Sequence, residues 1–584
     1  MFLCGMAPST RCTTYLAALF LACGGSGGGR RDAAVEDAAV GDAATDAPDA
    51  GPTDELGPDR WCPGRPGCER GEGMLLVGAA AVDVTPVIGP MTDIQTVDVD
   101  GNGEYDPAEG DAFEDRDGNG VFDGVWIAGF GNARAARGVN NPQWVRVIAL
   151  RAGDTTIALG SIDCIGYFKD DVDAIRDMVD DQDLDYLAIS ATHTHEARDT
   201  LGIWGVNVGS TGVDPAYMAM LRERAAQAVR IALGALRPAA VQYAAFDLRD
   251  APGGVTRYVG DNRDPFILDD RVTAMRFVER EGGRTIATLV HWGSHPEYTG
   301  SHNQELSSDY PHWLREGVTN GAVGPDGTRL PGVGGITVFY QGALGSQIGP
   351  NRLDQTRWDG TPVPQETHES AQVLGEQLAW LVLRALGEGG GSVVDETAAL
   401  GFRTDEFLVK VQNRGYHFAI LTEVFHPRAL YDYDPDLPIS DRNAPSVRTE
   451  VAIVDVGRAQ ILMMPGELDP ALFLGGYDGS YTPSNRPIIK PDNPNPPDLA
   501  AAPGPPYLRD LMREDAEYRL LFGLGNDMLG YFIPEFDYEL HPTLPYIAEA
   551  EGDHYEETNS VGIDGWPTIR RHAEFLLRWR PPAP

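Results

Sequence analysis

From residue 74 onwards, short apolar runs alternate with stretches whose apolar residues recur at helical spacing. "MLLVGAAAVDVTP" predicts a strand closed by Pro86, and "WVRVIALRAGDTTIALGSID" predicts two strands joined by a turn at Gly153-Asp154. Asp214-Pro215 supplies a capping side chain and a proline for the first helical position. Met218, Leu221, Ala225, Val229 and Leu233 then follow helical spacing, so a packed helix is expected up to Gly234 and Pro238. "LAISAT", "AAVQYAAFDL", "RTIATLVHW" and "EVAIVDVG–RAQILMMPGE" predict further strands, and residues 366–386 a second long helix. Strand pairs mixed with helices indicate an α/β domain with mixed sheets. The sequence shows no 20–50-residue repeat, which excludes a solenoid or propeller.

The first 73 residues read differently. Arg11 and the apolar run "TTYLAALFLA" lead to "FLAC", with small residues before Cys23. The run is too short for a stable spanning helix and resembles a bacterial lipoprotein signal over residues 1–22. An exported chain is expected, either a surface or outer-membrane lipoprotein held by lipid on Cys23 or a periplasmic or secreted protein. Residues 23–73 are rich in Gly, Ala, Asp and Pro and are expected to be a flexible acidic tether, with Cys62 and Cys68 close enough to close a small disulfide loop. Residues 74–584 are expected to form one catalytic domain, and Cys164 reads as a buried apolar residue. A hydrophobic content of 42% is that of a globular chain, and the net charge of −41 excludes nucleic acid and disfavours docking on anionic membranes. Nothing in the sequence sets the oligomeric state.

Residues 98–109, "DVDGNGEYDPAE", match a twelve-residue calcium loop. Asp98, Asp100, Asn102 and Asp106 take positions one, three, five and nine. Gly103 makes the turn, Glu104 offers its carbonyl, and Glu109 closes the shell. A second copy at 115–126 carries Asp115, Asp117, Asn119, Gly120 and Asp123 but has Trp126 where the last carboxylate belongs. Ca2+ is therefore expected as a structural ion in an insertion spanning 98–126.

Three strand ends carry the candidate chemistry. "SATHTH" places His193 and His195 on one face if the strand continues, "HWGSHPE" brings His291 and His295, and "MMPGE" brings Glu467. The first pair alone reads as two satisfied histidines. Together the three elements offer imidazole and carboxylate in the proportions of a catalytic zinc site.

These motifs, in this order, resemble the catalytic region of neutral (non-lysosomal) ceramidases, from "VGAAAVDVTPVIG" to "HYEETNS", covering most of residues 76–560. The resemblance implies Zn2+ held by His193, His295, Glu467 and Tyr531 of "NDMLGYF". It gives His195 to the substrate, as proton shuttle, and Tyr555 of "HYEE" to the scissile carbonyl. Arg263 of "DNRDP" becomes a substrate contact. The implied reaction is hydrolysis of the N-acyl amide of ceramide or a related lipid, with an amphiphilic amide as the only partner and membrane contact limited to an anchor at Cys23. The chain departs from the family pattern at Glu196-Ala197-Arg198, at Glu297 where threonine is usual, and at Gly349, where the family serine has no match. About 50 residues follow Tyr531, too few for the family's extra C-terminal β-sandwich of roughly 100. These departures leave two further readings: a zinc hydrolase for another amide or ester, and an inactive calcium-stapled binding protein.

Overall fold

The computed structural model describes residues 56–350, 353–440 and 442–581. The expected signal, and Cys23 with its expected lipid, lie outside them. Two sheets pack face to face. The strands used below are β1 (Arg60–Cys62), β2 (Leu76–Asp83), β3 (Trp144–Ala152), β4 (Thr155–Ile162), β5 (Tyr186–Ala191), β6 (Arg237–Asp247), β7 (Arg271–Glu279), β8 (Thr285–Trp292) and β9 (Ile336–Gln341), then β10 (Leu400–Lys410), β11 (Ser446–Val456), β12 (Ala459–Met463) and β13 (Tyr518–Phe522). The larger sheet runs β9-β8-β7-β6-β2-β3-β4-β5, and the smaller β1-β10-β11-β12-β13.

Both sheets are mixed. β4 and β5 pair in parallel, as do β8 and β9, within otherwise antiparallel neighbours. Every residue of β4 and β5 is buried, which is why these strands read as unbroken apolar runs: they are covered on both faces. Ile148, Leu159, Met275 and Leu289 of the large sheet meet Phe402, Val454, Ile461 and Phe522 of the small one in a shared core.

Helices close the outer faces. Pro215–Gly234 begins as expected, the Asp214 carboxylate accepting from the Ala216 amide, and buries Met218, Leu221, Ala225 and Val229 against the large sheet. His368–Leu386 starts two residues later than the periodicity suggests, because Thr367 caps it through the Ser370 amide. It covers the other half of that sheet with Tyr310–Asn320. Gly565–Arg578 lies on the small sheet. The result is one large mixed α/β domain in four layers, helix, sheet, sheet, helix. Among the described residues no helix is long and apolar enough to cross a membrane.

The expected tether boundary at residue 73 is corrected. Residues Arg60–Cys62 pair with β10, Cys62 and Cys68 are joined by a disulfide, and Trp61 packs on Trp579 with ring centroids 5.4 Å apart. The averaged composition of 23–73 hid these apolar anchors.

A buried charge cluster joins the two sheets and the helix Lys169–Met178. Glu450 on β11 accepts from Arg176 at 2.9 and 3.0 Å and from the Tyr186 hydroxyl at 2.8 Å, with Lys169 3.8 Å away. Burial pushes its carboxyl up, but Arg176 and Lys169 outweigh that and hold it at about 2. A depressed folded pKa stabilises the fold above the unfolded value near 4.5 and ceases to do so as pH falls through about 2. Acid titration of unfolding stability is expected to show a loss on the order of 3 kcal/mol across that window. Glu450→Gln is expected to abolish this loss and to start from a lower stability at neutral pH.

Candidate metal centre

Four strand ends and one short helix bring the expected side chains together. His193 follows β5 with φ +64°, a left-handed conformation that costs a non-glycine residue of order 1–3 kcal/mol and that the surroundings must enforce. The Thr192 amide donates to Ile162 at 2.8 Å, and His193 Nδ1 lies 2.6 Å from the Ile165 carbonyl. That carbonyl can only accept, so the proton sits on Nδ1 and Nε2 turns inward.

His295 repeats the device, with Nδ1 3.2 Å from the Gln347 carbonyl. His195 differs: its Nδ1 lies 3.2 Å from Glu297 Oε2 without the alignment of a hydrogen bond. The inner nitrogens meet. His193 Nε2 is 3.3 Å from His195 Nε2, and ligand atoms of His193, His195 and His295 all lie within 4.8 Å of one another.

Glu467 and Tyr531 close the cluster. Glu467–Leu468 and Tyr531–Phe532 form a two-stranded parallel pair in which Glu467 stands opposite Tyr531. Glu467 Oε2 lies 3.2 Å from His193 Nε2 and 3.0 Å from His295 Nε2, and the Tyr531 hydroxyl lies 3.1 Å from His295 Nε2. Burial raises the Glu467 carboxyl, yet the adjoining His193 and His295 bring it down to about 2, so it is an anion at neutral pH. Burial keeps His195 and His295 neutral, and holds the Tyr531 phenol protonated with help from the Glu467 charge.

Imidazole nitrogens, one carboxylate and one phenol aimed at a common point are the donor set a transition metal takes, and the outward bonds from Nδ1 of His193 and His295 are the supports such ligands use. The residues therefore fit a metal, and the buried histidine group could bind one.

Tyr555 stands beside Tyr531, with ring centroids 5.7 Å apart at 73°. Both tyrosines and His193, His195 and Glu467 line a cavity of about 540 Å³. Its remaining wall is mainly apolar, including Phe168, Leu201, Trp204, Ile420, Met528 and Leu529. A cavity of this kind suits an amphiphile with an apolar chain and a reacting group at its polar end.

Arg263 lies elsewhere. It is 2% exposed and is spent on Asp537, Glu556 and Glu557 at 2.9–3.0 Å, with no place on the cavity wall. The expectation of a substrate contact overlooked three acidic partners that the tertiary fold supplies, two of them immediately after Tyr555. Its role in the structure is to clamp the Tyr555–Thr558 helix.

Gly349 also has a tertiary reason. A Cβ there would stand 2.4 Å from the Tyr298 ring, so the aromatic side chain leaves room for glycine alone. His291 points away from the cluster, 2.6 Å from the Leu521 carbonyl. The residues missed by sequence reasoning are the supports of His195: Gly129, where a Cβ would meet the ring at 2.5 Å, Phe130, and Arg134, which binds the His195 carbonyl. No motif announces them.

In the 98–109 loop, Asp98 accepts from the Gly101 and Gly103 amides, Asp100 from Asn102, Asn102 from Glu104 and Asp106 from Ala108. The Glu104 carbonyl accepts from Gln95, while Glu109 is exposed next to Asp100. In the second loop the buried Asp93, from outside the motif, joins Asp115 and Asp117 within 4.8 Å.

No protein-family model matches the sequence, and no curated protein matches it. Solved structures do. The neutral ceramidase from Pseudomonas aeruginosa superposes with a TM-score of 0.52 at 11% identity, over 86% of this chain and 73% of that one. A ceramidase complexed with C2 superposes with the same TM-score at 12% identity, over 86% and 74%. At such identities the likeness is one of fold: this chain has the fold of the neutral ceramidases.

Proposed function

We propose that this protein is an exported zinc-dependent amidohydrolase that cleaves the N-acyl bond of ceramide or a related lipid. One observation carries the reading: buried His193 and His295, each tied outward through Nδ1, present Nε2 to Glu467, with Tyr531 and His195 beside them, at the end of an apolar cavity. A zinc ion held there by His193, His295, Glu467 and Tyr531 supplies Lewis acidity and an activated water. The chain supplies the rest. The apolar wall takes the acyl chain and excludes water from the reacting end. Burial raises the pKa of the Tyr555 phenol, which stays protonated and can donate to the oxygen of a carbonyl lying between it and the cluster. Ca2+ in the 98–109 loop is proposed as a structural ion, and Cys23 as the lipidated residue of the exported chain.

Purified protein is expected to carry about one zinc per chain and to release fatty acid from ceramide. Zinc without turnover of any lipid amide would leave the inactive binding protein, and no zinc at all would overturn the centre. A second reading, another amide or an ester, is favoured by the replacement of the family serine by Gly349 against Tyr298. A panel of ceramide, N-acyl amino acids, simple amides and esters separates it from the first.

A further inference from the structure

We propose that the cavity between the helices Pro470–Leu474 and Gly565–Arg578 is a binding site for an alkylated ammonium ion, the trimethylammonium group of a choline-type molecule being the chemistry that fits it. The inference does not depend on the metal reading, because this cavity shares no lining residue with the one at the histidine cluster.

The walls are aromatic rings. Tyr477, Tyr507, Phe536 and Trp566 line a space of about 330 Å³, large enough for a small ligand. Tyr477 meets Phe536 edge-on, with centroids 5.4 Å apart at 83°, and Tyr507 stands 6.1 Å from Tyr477 at 56°. Gly475 admits the Tyr507 ring: its φ is +74°, and a Cβ there would stand 2.1 Å from that ring. Neither tyrosine offers its hydroxyl to a ligand. That of Tyr477 is buried, and that of Tyr507 donates to the Pro503 carbonyl at 3.1 Å. The cavity therefore presents ring surface, whereas a sugar or a primary ammonium would ask for several polar partners.

The charges favour a cation. Glu535 and Glu574 stand on the wall against the single Arg570. Arg570 and Arg578 each lie 2.7 Å from Glu574, while Glu535 is exposed and in no ion pair among the described residues. Among those residues, no guanidinium or ammonium of the chain lies over any of the four rings. Their electron-rich faces attract a cation, and its methyl groups pack on the rings and on Pro503, Pro506 and Pro534 without needing hydrogen bonds.

Calorimetric titration of the full chain at low salt tests the proposal. Choline chloride is expected to bind at one site, and its neutral carbon isostere 3,3-dimethylbutan-1-ol about tenfold more weakly. Tyr507→Leu and Glu535→Gln are each expected to weaken choline about 3–10-fold with unchanged circular dichroism. His193→Ala is expected to bind choline as the wild type does, which separates this site from the histidine cluster. Sedimentation with phosphatidylcholine vesicles, reversed by free choline, would identify the ligand as a lipid headgroup; choline binding without vesicle binding would identify a free ion. Three results would overturn the proposal: no binding at tens of millimolar choline, equal affinity for the neutral isostere, or binding lost in His193→Ala and kept in Tyr507→Leu.

Discussion

His193→Ala and Glu467→Ala are each expected to lose bound zinc and to cut turnover by more than about a hundredfold, since even the outer supports of metal ligands are worth 10–100-fold. The reason is local. His193 reaches the cluster only through the left-handed turn after β5 and its bond to Ile165, and alanine at 193 offers no nitrogen in its place. Glu467 is the anion between His193 and His295, at 3.2 and 3.0 Å, and alanine leaves the two rings facing each other without it. Metal analysis of dialysed protein, with circular dichroism to check folding, measures the effect. Wild-type zinc content in both variants would remove the centre from consideration.

Arg263→Ala is expected to be the most damaging substitution away from the histidines. It strands Asp537, Glu556 and Glu557 in a site where, among the described residues, His554 remains as the cationic partner, on Glu557. Breaking a buried ion pair from one side costs about 3–5 kcal/mol. Part of that cost is expected to appear as activity, because Glu556 and Glu557 follow Tyr555 on one short helix and Arg263 holds them down. Denaturant unfolding gives the stability. A KM-against-kcat comparison gives the second effect: a clamp on Tyr555 lowers kcat, whereas a substrate contact would raise KM first. Arg263→Lys is expected to restore little, since an ammonium cannot span three carboxylates as the planar fork does.

Sequence reasoning and tertiary structure divided the protein along physical lines. Whatever depended on neighbours in the chain was legible in the sequence: the periodicity of Pro215–Gly234 with its Asp214 cap, the unbroken apolar runs of β4 and β5, the short Cys62–Cys68 loop, and the spacing that puts His193 and His195 at one strand end. The motifs "SATHTH", "HWGSHPE" and "MMPGE" named His193, His195, His295 and Glu467 because each follows a strand that its own residues specify, while "NDMLGYF" named Tyr531 through motif order alone. Which nitrogen of each ring faces inward, that Arg263 is consumed by three carboxylates, that Glu297 stands behind His195 and that Gly349 yields to Tyr298 depended on contacts between segments up to 294 residues apart in the chain. Such contacts leave no periodicity to read. They arise only when two sheets close on one core, and burial there makes each unpaired polar group costly enough to choose its partner.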